Sequence, residues 1–176
     1  MSIKSRIHLL RGDIVNFKGD AIVNAANNEL LHGKGVCGSI FNAAGSYALT
    51  CECQKLAPVI TGGAVITDAC NLKPNIKTII HAVGPIFKGF DISEPFLKDA
   101  YLNSLKVLVN NNLKTIAFPC ISTGIYGYPL YEASKTALST CIEFLRSNDD
   151  VEITFYMYEE EQYLIYSQLI NDLGDF

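Results

Sequence analysis

Hydrophobic and polar positions along this chain fall into two rhythms that take turns. The first is a set of short apolar runs. Ile7-His8-Leu9-Leu10 is the earliest, and Ala21-Ile22-Val23 follows after a Gly19-Asp20 turn. Ala64-Val65-Ile66-Thr67, Thr78-Ile79-Ile80-His81-Ala82-Val83, Thr115 to Ile121 and Val151 to Tyr158 complete the set. Several of these runs do not alternate apolar with polar, which is the mark of a strand covered on both faces. The second rhythm is helical. Leu97, Tyr101, Leu105 and Leu108 recur at steps of four, four and three. Ala133, Ala137, Cys141 and Leu145 form another stripe, and Tyr163, Tyr166, Ile170 and Leu173 a last one. A helix is expected from near Val36 through Ile40, Ala43 and Ala44, ending at Gly45, with a second from Ser46 to about Leu56.

Strand and helix alternate along most of the chain. That order predicts an α/β fold: a mostly parallel or mixed sheet with helices on both sides. No linker, repeat or low-complexity tract appears, so one domain is expected over residues 1–176.

Composition narrows the class. Apolar residues make up 49% of the chain, enough for a substantial core. The formal net charge is −4, which argues against a general nucleic-acid binder. The chain opens with Met1-Ser2-Ile3-Lys4-Ser5-Arg6 and runs into a strand, without a signal-peptide pattern. No apolar run is long enough for a bilayer, so no membrane partner is expected. Six cysteines (Cys37, Cys51, Cys53, Cys70, Cys120 and Cys141) read as reduced thiols of a cytoplasmic protein. Cys51-x-Cys53 is too tight for the usual metal spacing, and His8, His32 and His81 are too scattered for a metal set. Neither a metal nor a cofactor is expected.

Two loops carry the candidate chemistry. Asn24-Ala25-Ala26-Asn27 leaves the second run and leads through Gly33-Lys34-Gly35-Val36-Cys37-Gly38 into a helix. Ser122-Thr123-Gly124-Ile125-Tyr126-Gly127 leaves the run ending at Ile121 and leads into another. Both present main-chain N–H groups at the mouth of a parallel sheet, a means of holding phosphate without lysines. Asn24 and Asn27 offer donor and acceptor together, which suits ribose hydroxyls, and Asn27 is expected to face the cleft. Asp13, in Gly12-Asp13-Ile14, suits an exocyclic base amine as well as a turn cap. Tyr158 suits either a stacked base or the core. His32 stands beside the glycines.

Gly12-Asp13-Ile14, Ala21 to Asn27, Gly33 to Ile40, Ile80 to Pro85 and Ile121 to Gly127 together, in this order, resemble the macrodomain family. The likeness is greatest to stand-alone bacterial members that deacetylate O-acetyl-ADP-ribose and remove ADP-ribose from proteins. It implies a three-layer α/β/α sandwich that binds ADP-ribose and acts on ADP-ribosylated protein or O-acetyl-ADP-ribose. By position, Asp13 and Ile14 would hold the adenine, with Tyr158 against it. Asn27 would touch the distal ribose. Gly35, Val36 and Cys37 would border the pyrophosphate on one side, and Ser122, Thr123, Gly124, Ile125 and Tyr126 would wrap it on the other.

The chain departs from that pattern at two places. Cys37 stands where the deacetylase-like branch has an aspartate that orients or activates water, and Phe41 where a histidine is usual. Viral macrodomains resemble this chain in lacking the aspartate, and in them the residues matching Asn27 and His32 are tied to activity. Asn27, His32 and Cys37 are therefore the candidate catalytic residues. A slow hydrolase is expected. A reader that binds ADP-ribose without turnover and a poly-ADP-ribose or nucleic-acid binder are the competing readings.

Overall fold

The computed structural model describes residues 2–174. Met1, Asp175 and Phe176, the ends of the expected domain, lie outside the described residues. Six strands form one sheet: β1 (Ile7–Arg11), β2 (Gly19–Ala25), β3 (Ala64–Asp68), β4 (Ile76–Ala82), β5 (Thr115–Phe118) and β6 (Glu152–Met157). Their spatial order is β1-β6-β5-β2-β4-β3. All neighbours run parallel except β3, which is antiparallel to β4. Five helices cover it: α1 (Gly35–Ala44), α2 (Ser46–Gln54), α3 (Phe90–Asn110), α4 (Leu130–Leu145) and α5 (Glu160–Asp172). Gly45, at φ 92°, separates α1 from α2.

The non-alternating runs have a direct explanation. Along β2, Ala21 and Val23 face the core beneath α3, α4 and α5, while Ile22 between them faces the core beneath α1 and α2. Along β5, Ile116 and Phe118 face the first core and Ala117 the second. Period-two side chains are apolar on both faces because both faces are covered. The three-layer sandwich follows. Among the described residues no helix is long and apolar enough to cross a membrane, and the six cysteines are free.

Two polar devices lie inside this packing. Arg6 is buried, and its guanidinium donates to the carbonyls of Leu145 (2.9 Å) and Asn148 (2.7 Å), closing the end of α4. Asp20 accepts from the N–H groups of Lys114 and Thr115 and from the Lys77 ammonium, which ties β2 to the start of β5.

Strand order positions the site. β2 lies between β4 and β5. The chain leaves β2 toward one side, then returns through α3 to β5 on the other. Such a reversal leaves a crevice at the carboxyl ends of the strands.

Candidate functional site

The crevice is a cavity of about 290 Å³ at the C-terminal ends of β2, β4, β5 and β6. One wall is the segment from Ala25 to Cys37. Asn27 fastens it: its amide donates to the Leu31 carbonyl (3.1 Å) and accepts from the Leu31 N–H (2.9 Å). Asn28 anchors the same loop to the Val59 carbonyl at 2.8 Å. Gly35 has φ 60° and would present a Cβ to open space, so a left-handed turn without a side chain begins α1. The N–H groups of Gly35, Val36 and Cys37 have no main-chain acceptor among the described residues, as first-turn groups of a helix do not.

The opposite wall runs from Pro119 to Tyr126. Ser122 is buried at φ 66°. The loop is braced through its carbonyls and one side chain. Tyr128 N–H donates to Ser122 O, Gly127 N–H to Gly124 O, Phe87 N–H to Tyr126 O, and Thr123 Oγ1 to Cys120 O. The N–H groups of Ser122, Thr123, Gly124, Ile125 and Tyr126 donate to nothing among the described residues. Five consecutive residues with unpaired donors therefore line the cavity opposite the unpaired first turn of α1. That arrangement attracts an anion of more than one phosphate.

At the β6 end the cavity is bounded by Tyr156, Tyr158 and Gln162, and at the β4 end by Gly84. Lys34 is the one charged side chain on its lining among the described residues, and no carboxylate lines it. A broader depression of about 450 Å³ at the opposite ends of the strands is lined by Lys114 and Asp150, which pair with each other at 3.1 Å.

Cys37 lies on the cavity and is buried. Its thiol donates to the Leu31 carbonyl at 3.6 Å. Burial pushes its pKa up, more than the Gly33 N–H and the Asn24 amide pull it down. At neutral pH it is a thiol, not a thiolate base.

Of the residues expected from sequence, Asn27, Gly35, Val36, Cys37, Ser122, Thr123, Gly124, Ile125, Tyr126 and Tyr158 come together on the cavity. Four do not. Asn24 is fully buried behind it and donates to Nδ1 of His81 at 3.1 Å. Asp13 is held by Ser39 Oγ (2.6 Å) and Val15 N–H (3.2 Å), the bonds of a turn cap. Ile14 is buried beside it in the core. His32 is exposed, packs edge-on against Phe41 and bonds Asn42 at 3.2 Å, off the lining.

Sequence reasoning missed Tyr156, Gln162, Gly84 and Lys34. Tyr156 was recoverable: it is two residues from Tyr158, so the strand period puts both on one face. Gln162 is one helical turn past Tyr158, with its side chain accepting from Glu159 N–H. Gly84-Pro85 closes a strand and carried only a family signal. Lys34 carries no local signal that sets it apart from the glycines around it.

Known proteins agree with this geometry. The sequence profile of the Macro domain matches residues 23–137. The O-acetyl-ADP-ribose deacetylase of Escherichia fergusonii is 45% identical over 179 residues, covering 98% of this chain and 99% of that one. The Oceanobacillus iheyensis macrodomain solved with ADP superposes with a TM-score of 0.88 at 39% identity, over 94% of this chain and 90% of that one. The Trypanosoma brucei macrodomain in complex with ADP-ribose gives 0.86 at 34% identity, over 94% and 69%. The profile spans both donor loops of the crevice, and the chain belongs to the macro domain family.

Proposed function

We propose that this protein binds ADP-ribose and slowly hydrolyses its esters, either O-acetyl-ADP-ribose or ADP-ribose joined to an acidic side chain. The observation that carries the reading is the pair of facing donor sets, the N–H groups of residues 122–126 and those of Gly35 to Cys37. A diphosphate is the anion that spans two such sets. Tyr156 and Tyr158 suit the adenine at the β6 end. The distal ribose then lies toward Asn27, Gly33 and Gly84. The names of the relatives in Escherichia fergusonii, Oceanobacillus iheyensis and Trypanosoma brucei support the same ligand class. Free cysteines suit a cytoplasmic setting.

The lining explains the expected rate. Among the described residues it holds no carboxylate and no histidine, and its thiols are protonated. Water attacking the anomeric carbon of a carboxylate ester must give its proton to a phosphate oxygen of the ligand. The bond from that carbon to the carboxyl oxygen breaks, and its electron pair leaves with the carboxylate. A carboxylate departs without acid assistance, so cleavage of the acidic side-chain ester proceeds. In O-acetyl-ADP-ribose water adds instead to the acetyl carbonyl, the bond to the sugar oxygen breaks, and that oxygen takes up the water's proton, a step that is slow without a placed acid or base. A placed general base, typically worth about 10²–10⁴-fold, is missing.

Calorimetry with ADP-ribose and a turnover assay on glutamate-modified protein and on O-acetyl-ADP-ribose test the proposal. One-to-one binding with slow release of free ADP-ribose or acetate is the expected result. The missing base also favours a second reading, a reader module. Binding with no product after hours of incubation at saturating protein would establish the reader and remove the hydrolase.

A further inference from the structure

The loop that carries the five unpaired donors begins where the sheet can no longer hold it. β5 ends its ladder at Phe118, paired with Phe155. Pro119 has no N–H to continue the ladder. From there to Ser122 the chain runs over an apolar layer, and two main-chain groups point into that layer: the carbonyl of Pro119 and the N–H of Ile121. One side chain satisfies both. The hydroxyl of Tyr101, on α3, donates to Pro119 O at 3.3 Å and accepts from Ile121 N–H at 3.2 Å. Ile121 N–H has no other acceptor among the described residues.

We infer that Tyr101 is a positioning residue for ADP-ribose: its hydroxyl fixes the exit of β5 and thereby aims the N–H groups of residues 122–126 at the diphosphate. The inference rests on the proposed ligand. Four observations support it. Tyr101 is 1% exposed, so it has no solvent role. Its ring lies against Phe118, centroids 5.0 Å apart, so the hydroxyl is delivered at one height above the sheet. Burial, chiefly, drives its phenol well above the ordinary range, so the O–H remains both donor and acceptor at any working pH. Immediately beyond the clamp, Ser122 takes its left-handed φ of 66°, an uncommon geometry for a serine that must be imposed by its neighbours. A phenyl ring would fill the same space and leave both main-chain groups unpaired.

The test is Tyr101→Phe, with affinities for ADP-ribose, ADP and adenosine measured by calorimetry well below the melting temperature. The variant is expected to bind ADP-ribose and ADP about five- to tenfold more weakly and adenosine within twofold of the parent, because only the diphosphate uses the loop. A purely structural role would lower the melting temperature and leave the ADP affinity of the folded protein unchanged. That result, or equal losses for ADP and adenosine, overturns the inference and leaves the ADP-ribose reading standing. Failure of the parent to bind ADP or ADP-ribose overturns both. Should the variant not fold, hydrogen exchange on the parent decides. Ile121 N–H is expected to exchange at least a hundredfold more slowly than the N–H groups of Thr123 to Tyr126, and ADP to slow the latter without changing the former. Comparable exchange at Ile121 and Thr123 overturns the inference.

Discussion

Replacing Gly84 with alanine displaces the diphosphate loop by pressing on the side chains of Ser122 and Ile121. A Cβ at Gly84 would overlap Ser122 Oγ and Ile121 Cγ2 and would stand 3.5 Å from Ser122 Cβ. Ser122 and Ile121 are both buried, so neither side chain can simply swing into solvent. Comfortable separations between carbon atoms are about 3.5–4.0 Å, so the start of the loop must retreat by about 1 Å. A hydrogen bond to a phosphate oxygen stretched from about 2.9 to about 3.9 Å is no longer a bond. Each bond to a charged group contributes about 1.5–3 kcal/mol, so losing one or two weakens binding by about 2–4 kcal/mol. That corresponds to a rise in Kd of about 30- to 1000-fold. Calorimetry with ADP-ribose, on variant protein shown folded by circular dichroism, measures it. Adding Ser122→Gly removes both the overlap with Oγ and the positive-φ strain, and should restore part of the affinity. Affinity of Gly84→Ala within threefold of the parent would refute the claim that this loop grips the ligand.

Other outcomes follow from the same geometry. Cys37→Asp supplies the missing base on the lining, and turnover on ADP-ribosyl-glutamate protein should rise at least tenfold with ADP-ribose affinity changed less than fivefold; unchanged turnover would show that the base is not what limits the rate. His32→Ala should alter turnover less than threefold, because His32 lies off the lining with Phe41 and Asn42; a loss above thirtyfold would return it to the catalytic set. Stability should fall in two steps on acidification, read as urea midpoints against pH. Burial lowers His81 from 6.5 to about 4. Its neutral form is thus favoured by folding, and about 3 kcal/mol present above pH 6.5 is lost as pH falls toward 4. Burial alone would raise Asp20, but the Lys77 ammonium and the N–H groups of Lys114 and Thr115 outweigh it and hold the carboxyl at about 2 rather than 3.8. A further loss of about 2 kcal/mol is expected between those values. Equal stability at pH 5 and pH 8 would contradict the first step.

How far the sequence could be read depends on whether the deciding contact was local. β2 and β4 were legible because burial on both faces leaves a continuous apolar signature, as in Ala21-Ile22-Val23 and Thr78 to Val83. The α1–α2 break was legible at Gly45. β5 was read through to Ile121, three residues past its end at Phe118. The apolar pattern does continue there, but Pro119 cannot donate and the hydrogen bonds are completed by Tyr101, eighteen residues before it in the chain. No local pattern contains that fact. Asn24 and Asn27 are the same residue type at a spacing of three; Asn27 does face the cleft as expected, and the fold supplies the reason. His81, reached from β4, takes Asn24 inward, while Leu31 takes Asn27. Asp13 and His32 were likewise decided by residues of α1, Ser39 and Asn42. The two donor loops were visible because a strand emptying into small residues before a helix is itself the physical signal.

Central to the account is the capture of a diphosphate by main-chain N–H groups from two opposed turns. Titrating the amide signals of nitrogen-labelled protein with ADP-ribose tests it most directly. The N–H resonances of Ser122 to Tyr126 and of Gly35 to Cys37 should shift together and saturate at one equivalent, while those of Lys114 and Val151 at the far end of the sheet stay fixed. Unmoved resonances in either turn at millimolar ligand, or shifts centred on the Lys114–Asp150 depression, would contradict it.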